Sequence, residues 1–316
     1  MKNIYFTVII PLFNKEKHIS RAMNSVLNQT YKNFELLIID DGSTDNSYEE
    51  VKKINDTRIK IIKQNNQGVS SARNEGIHEA KYDLIGFLDA DDEWQPDFLT
   101  NIKRLYQKYP KAGAYTTSYT VKKEDGSFNK PLFESFFPGK WEGIIDDYFK
   151  YAIITPIITA SSVVIPKYVF KNVGYFPMGI KRGEDLDMWR RIALKYNIAY
   201  YNHSCATYYC DSDNRACKAD NSLRDSIAFY AEEILNKSGV HKIQSFYFKE
   251  YMIKSIIIKA RYLIKEDKKK EARALLYKYR CTKLNKKLLI KTYIISFLPK
   301  PLLEKAIFWK SKLRNF

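Results

Sequence analysis

Short apolar runs alternate with helix-spaced amphipathic stretches through the first hundred residues. Residues 5–11 (YFTVIIP), 34–40 (FELLIID), 58–63 (RIKIIK) and 84–89 (LIGFLD) have the length and composition of strands. Between the first two, residues 16–29 set Ile19, Ala22, Met23, Val26 and Leu27 at helical spacing. The DGSTD turn (41–45) leads into a second helix ending near Ile54, with Ser43 or Thr44 placed to cap it. Residues 70–80 form a third helix, and Pro96 opens a fourth that ends near Tyr109, since proline is tolerated in a first helical turn. Strand–helix alternation of this kind predicts an α/β fold, with a mostly parallel sheet and helices on both faces. From 112 to 180 the pattern is mixed, with strands near 112–121 and 160–165. Residues 184–196 (EDLDMWRRIALKY) are helical through Leu186, Trp189, Ile192 and Ala193, 198–209 are extended, and everything beyond 221 is helical in pattern.

Charge divides the chain more sharply than hydropathy does. Residues 236–316 carry 22 Lys or Arg against 5 Asp or Glu, while residues 1–235 carry 31 of each. The whole net charge of +17 therefore sits in the last quarter, which reads as a basic appendage on a neutral working domain. Within it, 287–300 is apolar almost all round, broken by Lys291 and ended by Pro299 and Pro301. Residues 302–313 are two-sided, with Leu302, Leu303, Ala306, Ile307, Trp309 and Leu313 opposite Glu304, Lys305, Ser311 and Lys312. Such a segment suits the surface of an anionic bilayer, and the competing role is a helix packed on the catalytic domain with a solvated basic face. Nucleic acid is not expected as a partner, because the basic residues are interleaved with long aliphatics. No run approaches the roughly 18 apolar residues of a membrane span, and 1–11 reads directly as a strand, so a cytoplasmic, peripheral location on the inner face of the cell membrane is expected. The cysteines (Cys205, Cys210, Cys217, Cys281) lack disulfide spacing, and with His203 the first three match no usual zinc spacing, so packing or loop roles are expected.

The chemistry gathers at strand ends, where open α/β sheets bind ligands. Asp40 and Asp41 follow the second strand; Asp89 and Asp91 follow the fourth, two apart and so on one side of an extended backbone. Asp89, Asp91, Asp92 and Glu93 lie within five residues and repel one another, which demands either open water or a cation. Two same-side carboxylates suit a hard divalent ion with positions left for phosphate oxygens. No G-x-G-x-x-G follows the first strand and no G-x-x-x-x-G-K-[ST] occurs, so both glycine-rich phosphate cradles are missing and a metal would take over that role.

The blocks TVIIPLFNKEKHISRAMNSVLNQTYKNFELLIIDDGSTDNS, NNQGVSSARNEGI, IGFLDADDEWQPDFL and VGYFPMGIKRGEDLDMWRRIA, in that order over residues 5 to about 196, resemble family 2 glycosyltransferases with the GT-A fold, of the bacterial surface-polysaccharide type. The resemblance implies a catalytic domain over 1–220, with a nucleotide-sugar half (1–95) and an acceptor half (96–220), followed by the helical region 221–316. It implies that Pro11, Phe13, Asn14 and Glu16 lie along the nucleotide and that Asp41, beside Asp40, accepts the base N3–H. It further implies that Arg73 approaches the phosphates and that Asp91, with Asp89, holds Mn2+ or Mg2+. Asp185 of GEDLDMW would be the general base of an inverting transfer, with Glu184 supporting it and Asp187 the weaker candidate. The implied donor is a UDP-sugar or dTDP-sugar, and the implied acceptor a saccharide on undecaprenyl diphosphate in O-antigen, capsule or related synthesis. Structural roles compete at several positions: turn support for Asp40, helix capping for Asp45, Glu184 and Asp185, core packing for Phe13. Sugar-phosphate nucleotidyltransferases share much of this topology and remain a second class, and residues 210–220 are a candidate lid.

Overall fold

The apolar runs become the middle of one sheet. In chain order the elements are β1 (Phe6–Leu12), α1 (Ile19–Leu27), β2 (Phe34–Asp40), α2 (Ser47–Lys52), β3 (Ile59–Lys63), α3 (Val69–Glu79) and β4 (Leu84–Phe87). Then come β5 (Glu93–Trp94), α4 (Phe98–Lys108), β6 (Ala114–Lys122), β7 (Phe128–Asn129), β8 (Glu142–Ile144), α5 (Tyr148–Ala152), β9 (Val163–Pro166), α6 (Lys167–Val173), α7 (Glu184–Lys195) and β10 (Ile198–Tyr209). This computed structural model describes residues 3–212, 226–237, 246–299 and 302. The chain divides into two units, Met1–Asn221 and Ser222–Phe316.

The strand order is β3-β2-β1-β4-β9-β6-β10-β5, with β7 on β6 and β8 on β10. Strands β1 to β4 are parallel, and β9 runs against both β4 and β6. Every residue of β1 and β4 is buried, as central parallel strands covered on both faces must be, whereas β3 at the edge alternates with solvent. From β1 the chain steps one way to β2 and later returns to place β4 on the other side. The loops leaving β1 and β4 therefore diverge, and a crevice opens at their carboxyl ends. In register, Leu12 stands opposite Asp40, so Phe13 and Asp41 leave neighbouring strands at one level. Helix α3 lies close on β1: a Cβ built at Gly76 would stand 2.6 Å from Ile9 Cγ2, which brings the helix turn carrying Arg73 down onto the sheet.

Some expectations shift at element ends. Helix α1 starts at Ile19 instead of 16, because Glu16 N–H is held by Asp45 Oδ2 at 3.1 Å in a loop-to-loop contact. Neither Ser43 nor Thr44 caps α2. Their hydroxyls accept from Asn14 N–H and Asn14 Nδ2, both at 3.2 Å, and Asp45 Oδ1 takes Ser47 N–H at 2.9 Å instead. The strand expected over 160–165 begins only at Val163, after a short 3-10 turn through Ala160–Ser162. Residues 213–220 of the candidate lid, and 303–313 of the two-sided segment, lie outside the described residues.

The second unit contains α8 (Ala231–Lys237), α9 (Phe246–Lys265), α10 (Lys269–Lys278) and α11 (Lys286–Ile295). Helix α9 buries Phe248, Met252, Ile253, Ile256, Ile257, Ala260, Leu263 and Ile264, the spacing of one helical face. Glu250 is buried on the same helix and holds the α10–α11 connection. It accepts from Thr282 Oγ1 at 2.5 Å, Lys283 N–H at 2.9 Å, and Leu284 N–H and Asn285 Nδ2 at 3.0 Å. Burial pushes this carboxyl up, but Thr282 and the other donors outweigh it and hold it below its ordinary value. Its stabilising effect is thus complete above the unfolded pKa and is lost as pH falls through the depressed folded value. Glu250→Ala, which leaves these donors unmatched, should cost about 2–4 kcal/mol in chemical denaturation followed by helical circular dichroism. An unchanged midpoint would refute that role.

Candidate active site

Each acid of the strand-end cluster has its own partner. Asp91 Oδ2 accepts from Lys15 Nζ at 2.9 Å and from the Ser212 hydroxyl, and Arg21 donates to the Asp91 carbonyl at 2.5 Å. Burial would raise the Asp91 carboxyl, but Lys15, then Ser212, hold it below the ordinary carboxylate range. Asp92 is fully buried, where its carboxylate accepts from Ser161 Oγ at 2.5 Å and Tyr209 N–H at 3.0 Å. Burial, then the neighbouring charges of Asp89 and Asp91, push it well above its ordinary value. Glu93 accepts from the Tyr209 hydroxyl at 2.6 Å. The repulsion among four carboxylates is therefore already met by protein groups, which corrects the expectation that solvent or a metal must carry all of it. Directly after the cluster, Trp94 anchors the turn through Nε1 to Ser161 O at 2.6 Å and stacks on Phe98.

Arg73 joins this turn to the start of α7. Its guanidinium is buried and donates through Nη2 to Asp89 Oδ1 at 2.8 Å and through Nη1 to Glu184 Oε1 at 2.9 Å. One planar fork thus connects the strand-end acids to the Glu184–Asp185 pair. Gly183, at φ +80°, supplies the left-handed turn from which α7 begins. Among the described residues Asp185 accepts only the Leu186 N–H, at 2.7 Å, and burial, then the Glu184 charge, push its carboxyl up to about 7. Asp187 is committed elsewhere, to Arg190 at 2.6 Å and Arg191 at 2.7 Å.

On the other side of the crevice, Asp41 is buried and organises the loop before α3. Oδ1 accepts from Gln64 Nε2 at 2.6 Å and Gln67 N–H at 2.9 Å, and Oδ2 from Gly68 N–H at 2.8 Å. Oδ2 keeps one lone pair for a further donor. Gly42, at φ +74°, makes the turn beneath it, where a Cβ would stand 2.9 Å from Asn66 N. Asp40 Oδ1 accepts Ser43 N–H at 3.0 Å, the turn support weighed for it. Pro11 is buried within β1, and Phe13 is 39% exposed, which excludes the core role considered for it. Asn14 and Glu16 tie the loop after β1 to that after β2, through Asn14 Oδ1 to Thr44 N–H at 2.8 Å and Glu16 Oε2 to Asn46 N–H at 3.0 Å.

Sequence reasoning missed Lys15, Arg21, Ser161, Tyr209 and Ser212. Lys15 alone carried a usable signal, as a cation inside the P-L-F-N-K-E segment at a strand end rich in acids across the crevice. A second cluster lies beyond the crevice, where Asp97, His203 and Cys205 each bring a ligand atom to within 4.8 Å of the others. Asn101 already donates to Asp97 Oδ2 at 2.9 Å and lies 3.5 Å from Cys205 Sγ. Burial, then Asp97, push the Cys205 thiol up to about 12, and Cys205 itself is buried in the core.

The family model for Glycosyl transferase family 2 matches residues 7–174, more than half of the chain. The chain belongs to that family. The match takes in both strand-end acid pairs and Arg73 and stops short of Glu184 and Asp185. An uncharacterized glycosyltransferase of Rickettsia felis is 36% identical over 194 residues, 61% of this chain and 31% of that protein. The chain spans about a third of the length of the Rickettsia relatives it matches. An Escherichia coli relative, UDP-Glc:alpha-D-GlcNAc-diphosphoundecaprenol beta-1,3-glucosyltransferase WfaP, is 32% identical over 207 residues, 64% of this chain and 76% of that one. Among solved structures, Staphylococcus aureus TarS 1-349 in complex with UDP-GlcNAc superposes with a TM-score of 0.68 over 93% of this chain and 90% of that one. At 19% identity that likeness concerns the fold, which is the GT-A arrangement of a central, mostly parallel sheet with helices. A family 2 glycosyltransferase does not make nucleotide sugars, so the nucleotidyltransferase reading falls away.

Proposed function

We propose that this glycosyltransferase transfers a sugar from a UDP-sugar, or a dTDP-sugar, to a hydroxyl of a saccharide carried on undecaprenyl diphosphate, with inversion. The observation that carries the reading is the Arg73 fork, which ties Asp89 and the Asp91 turn to the helix start bearing Asp185. Acids that suit a diphosphate-bound cation and an acid that suits proton removal thus share one cleft. The acceptor class is supported by the activity for which the E. coli relative is named, and the donor class by the UDP-GlcNAc of the TarS complex. A product of this kind belongs to surface polymers such as O-antigen or capsule.

Asp185 takes the proton from the acceptor hydroxyl as its oxygen attacks the anomeric carbon opposite the leaving nucleotide, so an α-linked donor gives a β-glycoside. A carboxyl near 7 is matched to that task at neutral pH. Glu184 keeps the base region acidic while its own oxygen is held by Arg73. Asp41 offers a lone pair to the N3–H of uracil or thymine, and exposed Phe13 flanks the nucleotide beside Pro11 and Asn14.

The oxygen-only donors Asp91 and Asp89 fit Mn2+ or Mg2+, and Asp91 already attracts a cationic group in the Lys15 ammonium. When bound there, the ion supplies positive charge against the departing diphosphate. Chelation with EDTA should lower transfer by about a hundredfold, with recovery on adding Mn2+ or Mg2+. Unchanged rates after exhaustive chelation would remove the metal from the reading. The broader test is a panel of nucleotide sugars with a synthetic polyprenyl-diphosphate saccharide, scored by product mass and anomeric coupling. Transfer with retention, or no transfer from any UDP- or dTDP-sugar, would overturn the proposal.

A further inference from the structure

Helix α11 leaves much of its apolar surface outward, unlike an ordinary amphipathic helix. Its buried positions are Leu289, Thr292 and, just past its end, Ser296. Thr292 and Ser296 direct their hydroxyls to backbone carbonyls of their own segment, Leu288 O at 2.8 Å and Tyr293 O at 2.6 Å. The outward positions are Ile290, Tyr293, Ile294 and Phe297, with exposures of 47%, 38%, 59% and 60%. They fall at positions i, i+3, i+4 and i+7, so they form a single stripe. A soluble helix places such a stripe against its own core, because apolar surface left in water forgoes the main favourable contribution to folding. Here the inner face mixes Leu289 with the hydroxyls of Thr292 and Ser296, while four large apolar side chains are offered outward.

The border of the stripe is cationic. Lys287 and Lys291 line the same shallow groove as Ile290, Ile294 and Ile295. At the far end Arg273 lies 4.8 Å over the Phe297 ring and donates to Ser296 O at 3.1 Å, and Lys269 donates to Leu298 O at 3.0 Å. We propose that this outward face of α11 docks on the surface of an anionic lipid bilayer. Apolar side chains would enter the headgroup boundary while the lysine heads and Arg273 meet lipid phosphates, and Tyr293 suits that boundary because its ring is apolar and its hydroxyl polar. A second copy of the chain is disfavoured as occupant, because a two-fold contact would press Lys287 and Lys291 against their equivalents. A nucleic acid would leave the isoleucines and Phe297 without a matching surface.

The inference deepens the proposed function, on which it rests for its purpose, since a polyprenyl-linked acceptor resides in a membrane. Its test does not use the acceptor. The full chain is sedimented with vesicles of phosphatidylcholine containing phosphatidylglycerol, and with phosphatidylcholine alone. Binding is expected to the anionic vesicles only, weakened by salt, and Ile294→Asp/Phe297→Asp should reduce it by about tenfold. Both substitutions fall on exposed side chains, and an unchanged thermal midpoint would confirm that the fold is kept. Lys287→Glu/Lys291→Glu should weaken binding while leaving the apolar stripe intact.

Equal binding to neutral vesicles, no binding to anionic ones, or binding that survives Ile294→Asp/Phe297→Asp would each overturn the proposal. A wild-type dimer in light scattering that the aspartate pair dissociates would assign the face to a second copy, and would overturn it as well. Vesicle binding with no transfer to the lipid-linked saccharide would instead refute the acceptor reading and leave the docking face standing.

Discussion

Asp185→Asn should lower the rate of transfer by about a thousandfold while leaving the affinity for the nucleotide sugar nearly unchanged. The substitution is isosteric, and the amide oxygen still accepts the Leu186 N–H, so the first turn of α7 keeps its geometry. What it loses is the ability to take a proton. Burial, and then the adjacent Glu184 charge, raise the Asp185 carboxyl to about 7. Below that pH the group is protonated and cannot act as a base, so the wild-type rate should climb with pH up to about 7 and level off above it. In the asparagine variant that step should vanish. Glu184→Gln removes the like charge beside Asp185 and should move the step to lower pH, although freeing Arg73 from one partner will also lower the maximum. Initial rates across the neutral range, at saturating donor, separate these effects. A pH step that persists in Asp185→Asn would assign the base elsewhere, and not to Asp187, whose carboxylate is already shared between Arg190 and Arg191.

The sequence shows where charge collects more clearly than it shows how charge is balanced. Continuous apolar runs locate β1, β2 and β4 because strands covered on both faces admit few polar side chains, and acids at their ends are then conspicuous. Strand β10 was legible as an extended pattern, although Asn202, His203 and Ser204 in its middle are only half-buried. Partners for those acids lie far along the chain. Asp91 meets Lys15 across 76 positions, Glu184 meets Arg73 across 111, and Asp92 meets Tyr209 across 117. Local periodicity carries no information about such pairs, and they form only once the sheet brings loops from different strands together. The same limit explains the cap of α2. Ser43 and Thr44 have the right chemistry for capping, but Asn14, on another loop, takes both hydroxyls and leaves Asp45 to bind the helix start. Arg73 had a weak local signal, since it lies on a helical face with Ala72, Gly76 and Ile77, all buried, where a charge needs a specific partner. On α11, the composition showed apolar residues nearly all round and could not say which of them would face outward.

Arg73→Met should destabilise the first unit by about 3–5 kcal/mol, because it leaves Asp89 and Glu184 with uncompensated charge in a largely buried site. Methionine keeps the length and packing of the side chain, so the loss measures the charge and its hydrogen bonds more than a cavity. Arg73→Lys is the more informative variant for catalysis. One ammonium on a flexible stem can serve Asp89 or Glu184 well, but it cannot hold both in the fixed plane of a guanidinium. Folding should then be largely retained, while the strand-end acids and the start of α7 lose their common anchor. Transfer should drop by about a hundredfold, since small misplacements of reacting groups are costly. The drop should fall mainly on kcat, with a modest change in donor KM, because Asp41 and the loop after β1 do not depend on this bridge. Chemical denaturation of both variants, with kinetics for the lysine variant, tests the two halves separately. Arg73→Met combined with Glu184→Gln should recover part of the lost stability by removing one stranded charge, and no recovery would mean that the fork does not hold the two acids in one energetic unit. If Arg73→Lys transfers sugar at the wild-type rate, the bridge is only a structural pairing, and the link between strand-end acids and proton acceptor has to be sought in another contact.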